Sequence, residues 1–172
     1  MTPREHEEYS ALRATIRQRG TARVALFAGG IVAWAAISAA FAAMSAPPVE
    51  TLFPLIVLAA TFEAVFALHV AVERIGRYLE VAFDDDWERA AVAFGTPKGA
   101  ASTDPIFTAI FLVAAAMNIV PALVAAPAIV ELVVVGGAHL LFGARVILAG
   151  RAAASQRAID RERFEELKQP RV

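Results

Sequence analysis

Residues 51–83 read TLFPLIVLAATFEAVFALHVAVERIGRYLEVAF. The stretch begins as an apolar run long enough to cross a bilayer and ends as a charged, amphipathic segment. Within the apolar part stand one carboxylate, Glu63, and one imidazole, His69. An apolar segment of about 20 residues spans the hydrocarbon core of a membrane. Working outward, three more such segments come into view. Residues 24–49 and 105–130 contain no Asp, Glu, Lys or Arg, and neither does the interval between Glu131 and Arg145. The spacing predicts transmembrane helices at about 24–46, 51–73, 105–124 and 128–150. The fold class expected is an all-α integral membrane protein, a single domain of four spans in two antiparallel hairpins with amphipathic helical extensions.

Composition agrees: of 172 residues, 58% are apolar, and the mean hydropathy is +0.57, above the usual range for a soluble domain. The 16 basic residues fall into three blocks, Arg4–Arg23, Arg74–Lys98 and Arg145–Arg171. The connections around Pro47–Pro48 and Pro121–Pro127 hold none. Basic loops stay on the cytoplasmic side, so both termini and the connector 74–104 are expected there. The alanine- and arginine-rich composition favours a bacterial inner membrane. A cleaved signal peptide would be a competing reading of AFAAMSA before Pro47. The preceding charged region is long and contains Glu5, Glu7 and Glu8, and the apolar region exceeds the usual length, which argues against it.

Several function classes fall away. With no cysteine there are no disulfides, thiolate metal sites or thiol nucleophiles. There is no nucleotide-binding loop or HExxH helix. Basic residues interleaved with acids beside apolar segments do not suggest nucleic acid. The partners expected are the lipid bilayer and a second copy or other membrane subunits.

The extensions are read as helices. Residues 4–19 place Tyr9, Leu12 and Ile16 on one side, with acids early and bases late as the helix dipole favours; Gly20 is expected to end or bend this helix. After the second span Ile75, Leu79 and Phe83 keep a helical rhythm until the three acids Asp84–Asp86, read as a stop and a new N-cap rather than a calcium loop. A short helix to Phe94, closed by Gly95, a loop of sequence GTPKGAASTDP and an Asp104 N-cap are expected next. In residues 151–169, Asp160/Arg163 and Glu165/Lys168 have the spacing of i,i+3 ion pairs.

Candidate functional residues are the polar groups that apolar surroundings make conspicuous. Counted at ~1.5 Å per residue from Arg74, Glu63 lies ~16 Å deep. With no Lys or Arg in the spans to pair with, it is expected to be uncharged, hydrogen-bonded near Trp34. Asn118 is the one strongly polar side chain of the third span. Counted from Arg74 and Arg145, His69 and His139 share a depth of ~8–9 Å. Three readings fit them: packing residues, metal ligands with Glu63 or Glu73, or axial ligands of a haem b. Gly29, Ala33, Ala36 and Ala40 form a small-residue stripe of the kind that lets helices approach closely in lipid. Function is read first as a non-enzymatic structural or accessory subunit of a membrane assembly. The alternatives are a proton or cation channel or carrier using Glu63, and a haem b redox subunit using His69 and His139.

Overall fold

The computed structural model describes residues 1–87, 89–90 and 105–168. It is almost entirely helical: α1 (Pro3–Ala43), a 3-10 turn (Pro48–Thr51), α2 (Leu52–Phe83), α3 (Pro105–Val124) and α4 (Ile129–Lys168). Among the described residues, four helices are long and apolar enough to cross a membrane. The expected helix to Phe94, the GTPKGAASTDP loop and the Asp104 cap lie wholly or mostly outside the described residues.

α1 corrects one expectation. Gly20 neither ends nor interrupts it, so the segments read as 4–19 and 24–46 are one helix. A glycine inside a helix costs only ~1 kcal/mol, and no proline is present to remove a hydrogen bond. The helix ends instead at Ala43. Ser45 takes a left-handed conformation, φ 51°, while the Ala46 N–H reaches the Phe41 carbonyl and the Ser45 N–H the Ala42 carbonyl. This is the Schellman arrangement, with serine in place of the usual glycine. Asp84, φ 55°, stands just beyond the end of α2, and the Asp85 carboxylate accepts the Trp87 N–H. At the start of α4 the Glu131 carboxylate accepts the Ala128 N–H at 3.1 Å, one of the amides a helix leaves unpaired.

The chain forms two compact units. The first comprises Met1–Arg23, Phe66–Ser102 and Gly150–Val172; the second comprises Val24–Val65 and Thr103–Ala149. The second unit is packed around aromatic rings. Phe62 meets Phe107, Phe111 and Phe142 at centroid distances of 5.9, 5.2 and 6.0 Å, and Phe27 joins Phe107 and Phe111. Phe62, Phe111 and Leu58 are fully buried. Gly30 lets α1 lie directly against Thr61 of α2, where a Cβ would collide with the threonine side chain. Its neighbour Gly29 has nothing within 4 Å of where a Cβ would stand, and Ala33, Ala36 and Ala40 are exposed like it. Within this chain the close approach is made by Gly30, not by the small-residue stripe.

The first unit is held by aromatic contacts and buried charge. Tyr9 and Tyr78 pack edge-on against Phe83, and Tyr78 against Phe164. Leu79 and Ala153 are buried, and so are Arg77, Glu80 and Asp160. Asp160 accepts hydrogen bonds from Arg77 at 2.8 Å, Arg74 at 3.1 Å and Gln156 at 2.8 Å. Glu73 faces Arg157 at 3.3 Å and Arg77 at 3.6 Å, and Arg161 reaches Glu80 at 3.2 Å. Hydrogen-bonded partners on α2 and α4 are separated by 83, 86 and 87 residues, so the two segments run in the same direction. The expected pairs within 151–169 are not made. Asp160 turns inward to two guanidiniums, and Lys168 donates to the Val81 carbonyl. A partly buried fork of N–H donors outcompetes a solvated neighbour worth a few tenths of a kcal/mol. The three acids are all engaged: Asp84 and Asp86 share Arg89, and Asp85 takes Arg13 and Tyr9.

Burial pushes the Asp160 carboxyl up. The hydrogen bonds from Gln156, Arg77 and Arg74, with the Arg74 charge, outweigh it and hold the group down at about 2. A lowered carboxyl stabilises the fold above its unfolded value of ~3.9, and that contribution is lost as pH falls through the folded value. Asp160→Asn should therefore cost about 3 kcal/mol at pH 7, because it strands Arg77 and Arg74. Denaturant titrations of both proteins in detergent should show the difference shrinking between pH 4 and pH 2. A constant difference across that range would remove the assignment.

Candidate functional site

The polar residues of the second unit converge on Asn118, which is only 4% exposed. Its carbonyl oxygen accepts the Trp34 indole N–H at 3.1 Å and, more loosely, the Ser38 hydroxyl at 3.5 Å. Its amide group donates to the Thr51 carbonyl at 2.8 Å and to His139 Nε2 at 3.0 Å. His139 Nδ1 in turn donates to the Val135 carbonyl at 2.7 Å. This pattern requires one tautomer: the proton is on Nδ1 and the lone pair on Nε2. Trp34 and Ser38 are one turn apart on α1, Thr51 ends the turn before α2, and His139 belongs to α4. A single amide on α3 is thus tied to α1, to the turn that leads into α2, and to α4. The group is neutral throughout, and each donor and acceptor of the Asn118 amide and the His139 ring is used.

Glu63 is not part of this cluster, and its premise fails. Arg145 donates to its carboxylate at 2.8 Å and lies over the Phe62 ring at 5.6 Å. The acid therefore has the counter-charge that was expected to be missing, and Trp34 bonds elsewhere. Glu63 is therefore level with Arg145, the residue from which the depth of His139 was counted. Arg74, the residue from which the depth of Glu63 was counted, belongs to the ion-pair network of the first unit. Both side chains remain near half exposed, at 50% and 42%.

His69 lies in the first unit. Its Nδ1 accepts from the Arg23 guanidinium at 3.0 Å, and Nε2 faces Glu73 at 3.4 Å. His69 and Glu73 meet as their i,i+4 spacing implies. The two histidines belong to different units, and each is engaged within its own. The nitrogen of His139 that could bind iron is occupied by the Asn118 amide. Among the described residues, no group of three or more His, Asp or Glu side chains is arranged to hold a metal ion.

Beside Asn118 lies a cavity of about 590 Å³, lined by Trp34, Ser38, Phe41, Met117, Asn118 and Pro121 among others. A wholly apolar furrow of about 400 Å³ also touches Trp34 and Met117 and runs past Ile31, Ile106, Ile110 and Val113. Neither lining contains a charged residue, so what they can hold is hydrocarbon or an uncharged molecule.

Sequence reasoning singled out Trp34, Asn118 and His139 separately but missed Ser38, the Thr51 carbonyl and Arg145. The spacing of Trp34 and Ser38 (i, i+4) was a usable signal, because it puts two donors on one face of α1. The chain matches no known family model, no curated protein and no solved structure. What its fold defines is a class: a helical protein with, among the described residues, four helices long and apolar enough to span a membrane.

Asn118→Leu should remove four hydrogen bonds at once and leave Trp34 and His139 unsatisfied. The expected cost is about 2–3 kcal/mol. In a Trp87→Phe background, Trp34 fluorescence reports the change directly. A lower unfolding temperature in detergent with altered Trp34 emission is expected; unchanged values for both would mean the amide is not the hub.

Proposed function

We propose that the chain is a non-enzymatic, four-span protein of a bacterial inner membrane, with both termini cytoplasmic, serving as a structural or accessory subunit of a membrane assembly. The observation that carries this reading is the state of the polar interior. Asn118, His139 and Trp34 are neutral and satisfy one another, so the cluster acts as a fastening rather than a reactive centre. α1 adds a second support: none of its 41 residues is buried, and Gly29, Ala33, Ala36 and Ala40 face away from the rest of the unit. In lipid such a face is suited to close contact with a second copy or another subunit.

The contacts favour two antiparallel hairpins. Phe41 meets Phe53 close to the first turn, while Gly30 meets Thr61 farther along both helices. Asn118 meets His139 near the second turn, while Leu112 stands beside Gly143 farther away. The Glu63–Arg145 pair favours a fixed ion pair over a proton-carrying acid, which weighs against the channel or carrier reading.

Cysteine substitutions at Ser45, Ser102 and Ser155, probed with an impermeant maleimide on intact cells, test the topology. Labelling of Ser45→Cys alone is expected. Labelling of Ser102→Cys or Ser155→Cys from outside would overturn the orientation. Proton flux into liposomes should be no faster with the protein than without it; a flux abolished by Glu63→Gln would replace the subunit reading with the carrier.

A further inference from the structure

The ion pairs of the first unit sort its charges by position. No acidic residue lies between Glu8 and Glu50, while Arg13, Arg17, Arg19 and Arg23 stand in the last turns of α1 before its apolar segment. Acids of the unit are matched elsewhere: Asp85 by Arg13, Asp160 by Arg74 and Arg77, Glu80 by Arg161, and Glu73 by Arg77 and Arg157. Among the described residues of the unit, Arg17 and Arg19, five to seven residues before Val24, and Arg151, two residues after Ala149, have no carboxylate partner, and neither do Arg4 and Arg163 toward the far ends of the same helices. Arg23 donates to the imidazole of His69, which does not cancel its charge. The acids toward those far ends without a basic partner, Glu7, Glu8, Glu162 and Glu166, outnumber Arg4 and Arg163; Glu8 accepts only the Tyr78 hydroxyl. Unpaired charge is therefore net positive in the turns that lead into the apolar segments and net negative away from them.

We propose that Arg17, Arg19, Arg23 and Arg151 bind the phosphates of anionic phospholipid headgroups. The proposal rests on the membrane reading above and adds to it a lipid class. An arginine presents a planar fork of N–H donors that matches phosphate oxygens, and basic side chains beside a membrane are drawn to its anionic surface. Arg17 and Arg151 are exposed and Arg19 and Arg23 half-buried, so the first two have room for headgroups without rearrangement.

The test compares wild type with Arg17→Gln/Arg19→Gln/Arg151→Gln, which removes none of the ion pairs or side-chain hydrogen bonds described above. A control, Arg4→Gln/Arg163→Gln, removes equally free arginines far from the apolar segments. Thermal unfolding is followed in neutral detergent with added phosphatidylglycerol, phosphatidylcholine or inorganic phosphate. Phosphatidylglycerol alone should raise the Tm of wild type and control, on the order of 5 °C, and the triple variant should lose most of that rise. An equal rise in the triple variant would overturn the assignment. So would an equal rise with phosphatidylcholine, which would mean hydrocarbon alone acts, or with inorganic phosphate, which would mean a free-anion site. Carbonate extraction of cell membranes separates the two levels. Release of the protein into the soluble fraction would defeat the membrane reading itself, whereas retention without lipid selectivity would defeat only this proposal.

Discussion

A polar side chain inside an apolar bundle must find its hydrogen bonds within the protein, and that requirement is concentrated at Asn118. An unpaired buried amide costs ~1–3 kcal/mol, more than one well-made bond contributes. The same amide that would be a liability alone becomes a constraint on four partners. Trp34 and Ser38 orient α1, the Thr51 carbonyl holds the turn before α2, and His139 holds α4. The aromatic cluster around Phe62 supplies packing but little direction. Register comes from the amide, whose two faces accept only donors on one side and acceptors on the other. The His139 tautomer follows from it, since Val135 takes the Nδ1 proton and Asn118 requires the Nε2 lone pair.

The first unit solves the opposite problem with charge. Its segments carry few large apolar side chains, and several of those, such as Ile159 and Leu167, are exposed. Burial is instead shared among Leu79, Ala153 and a lattice of Arg77, Asp160, Glu73 and Glu80. Two arginines on one aspartate, and two more around Glu73 and Glu80, make every member depend on the others. Removing one strands a desolvated charge, which is why buried networks of this kind are costly to break although they are weak sources of net stability.

What was legible in the sequence was what local pattern encodes. The four apolar segments, the carboxylate of Glu131 at a helix start and the stop at Asp84 follow from composition and spacing over a few residues. So did the conspicuousness of Asn118, because an amide among nineteen less polar neighbours in α3 stands out. The pairings were not legible. Arg145 meets Glu63 across 82 residues and Arg77 meets Asp160 across 83, distances at which no periodicity carries information. Nor could the sequence show that Arg74 is engaged in an ion-pair network with Asp160. The helical spacing of Tyr9, Leu12 and Ile16 put them on one side but did not say what that side meets. They are half-buried, because one ring contact with Phe83 and one hydrogen bond to Asp85 suffice to dock Tyr9.

The claim on which the rest depends is that the polar interior of the second unit is neutral and closed upon itself. Nitrogen-15 NMR of imidazole-labelled protein reconstituted in lipid reads this at one residue, with His139→Gln assigning the signal. The account requires His139 at neutral pH to show one protonated and one unprotonated nitrogen, with the proton on Nδ1 and an additional coupling from Nε2 to the Asn118 amide. A proton on Nε2, or an imidazolium, would mean that the amide does not face His139 and that the cluster is built differently.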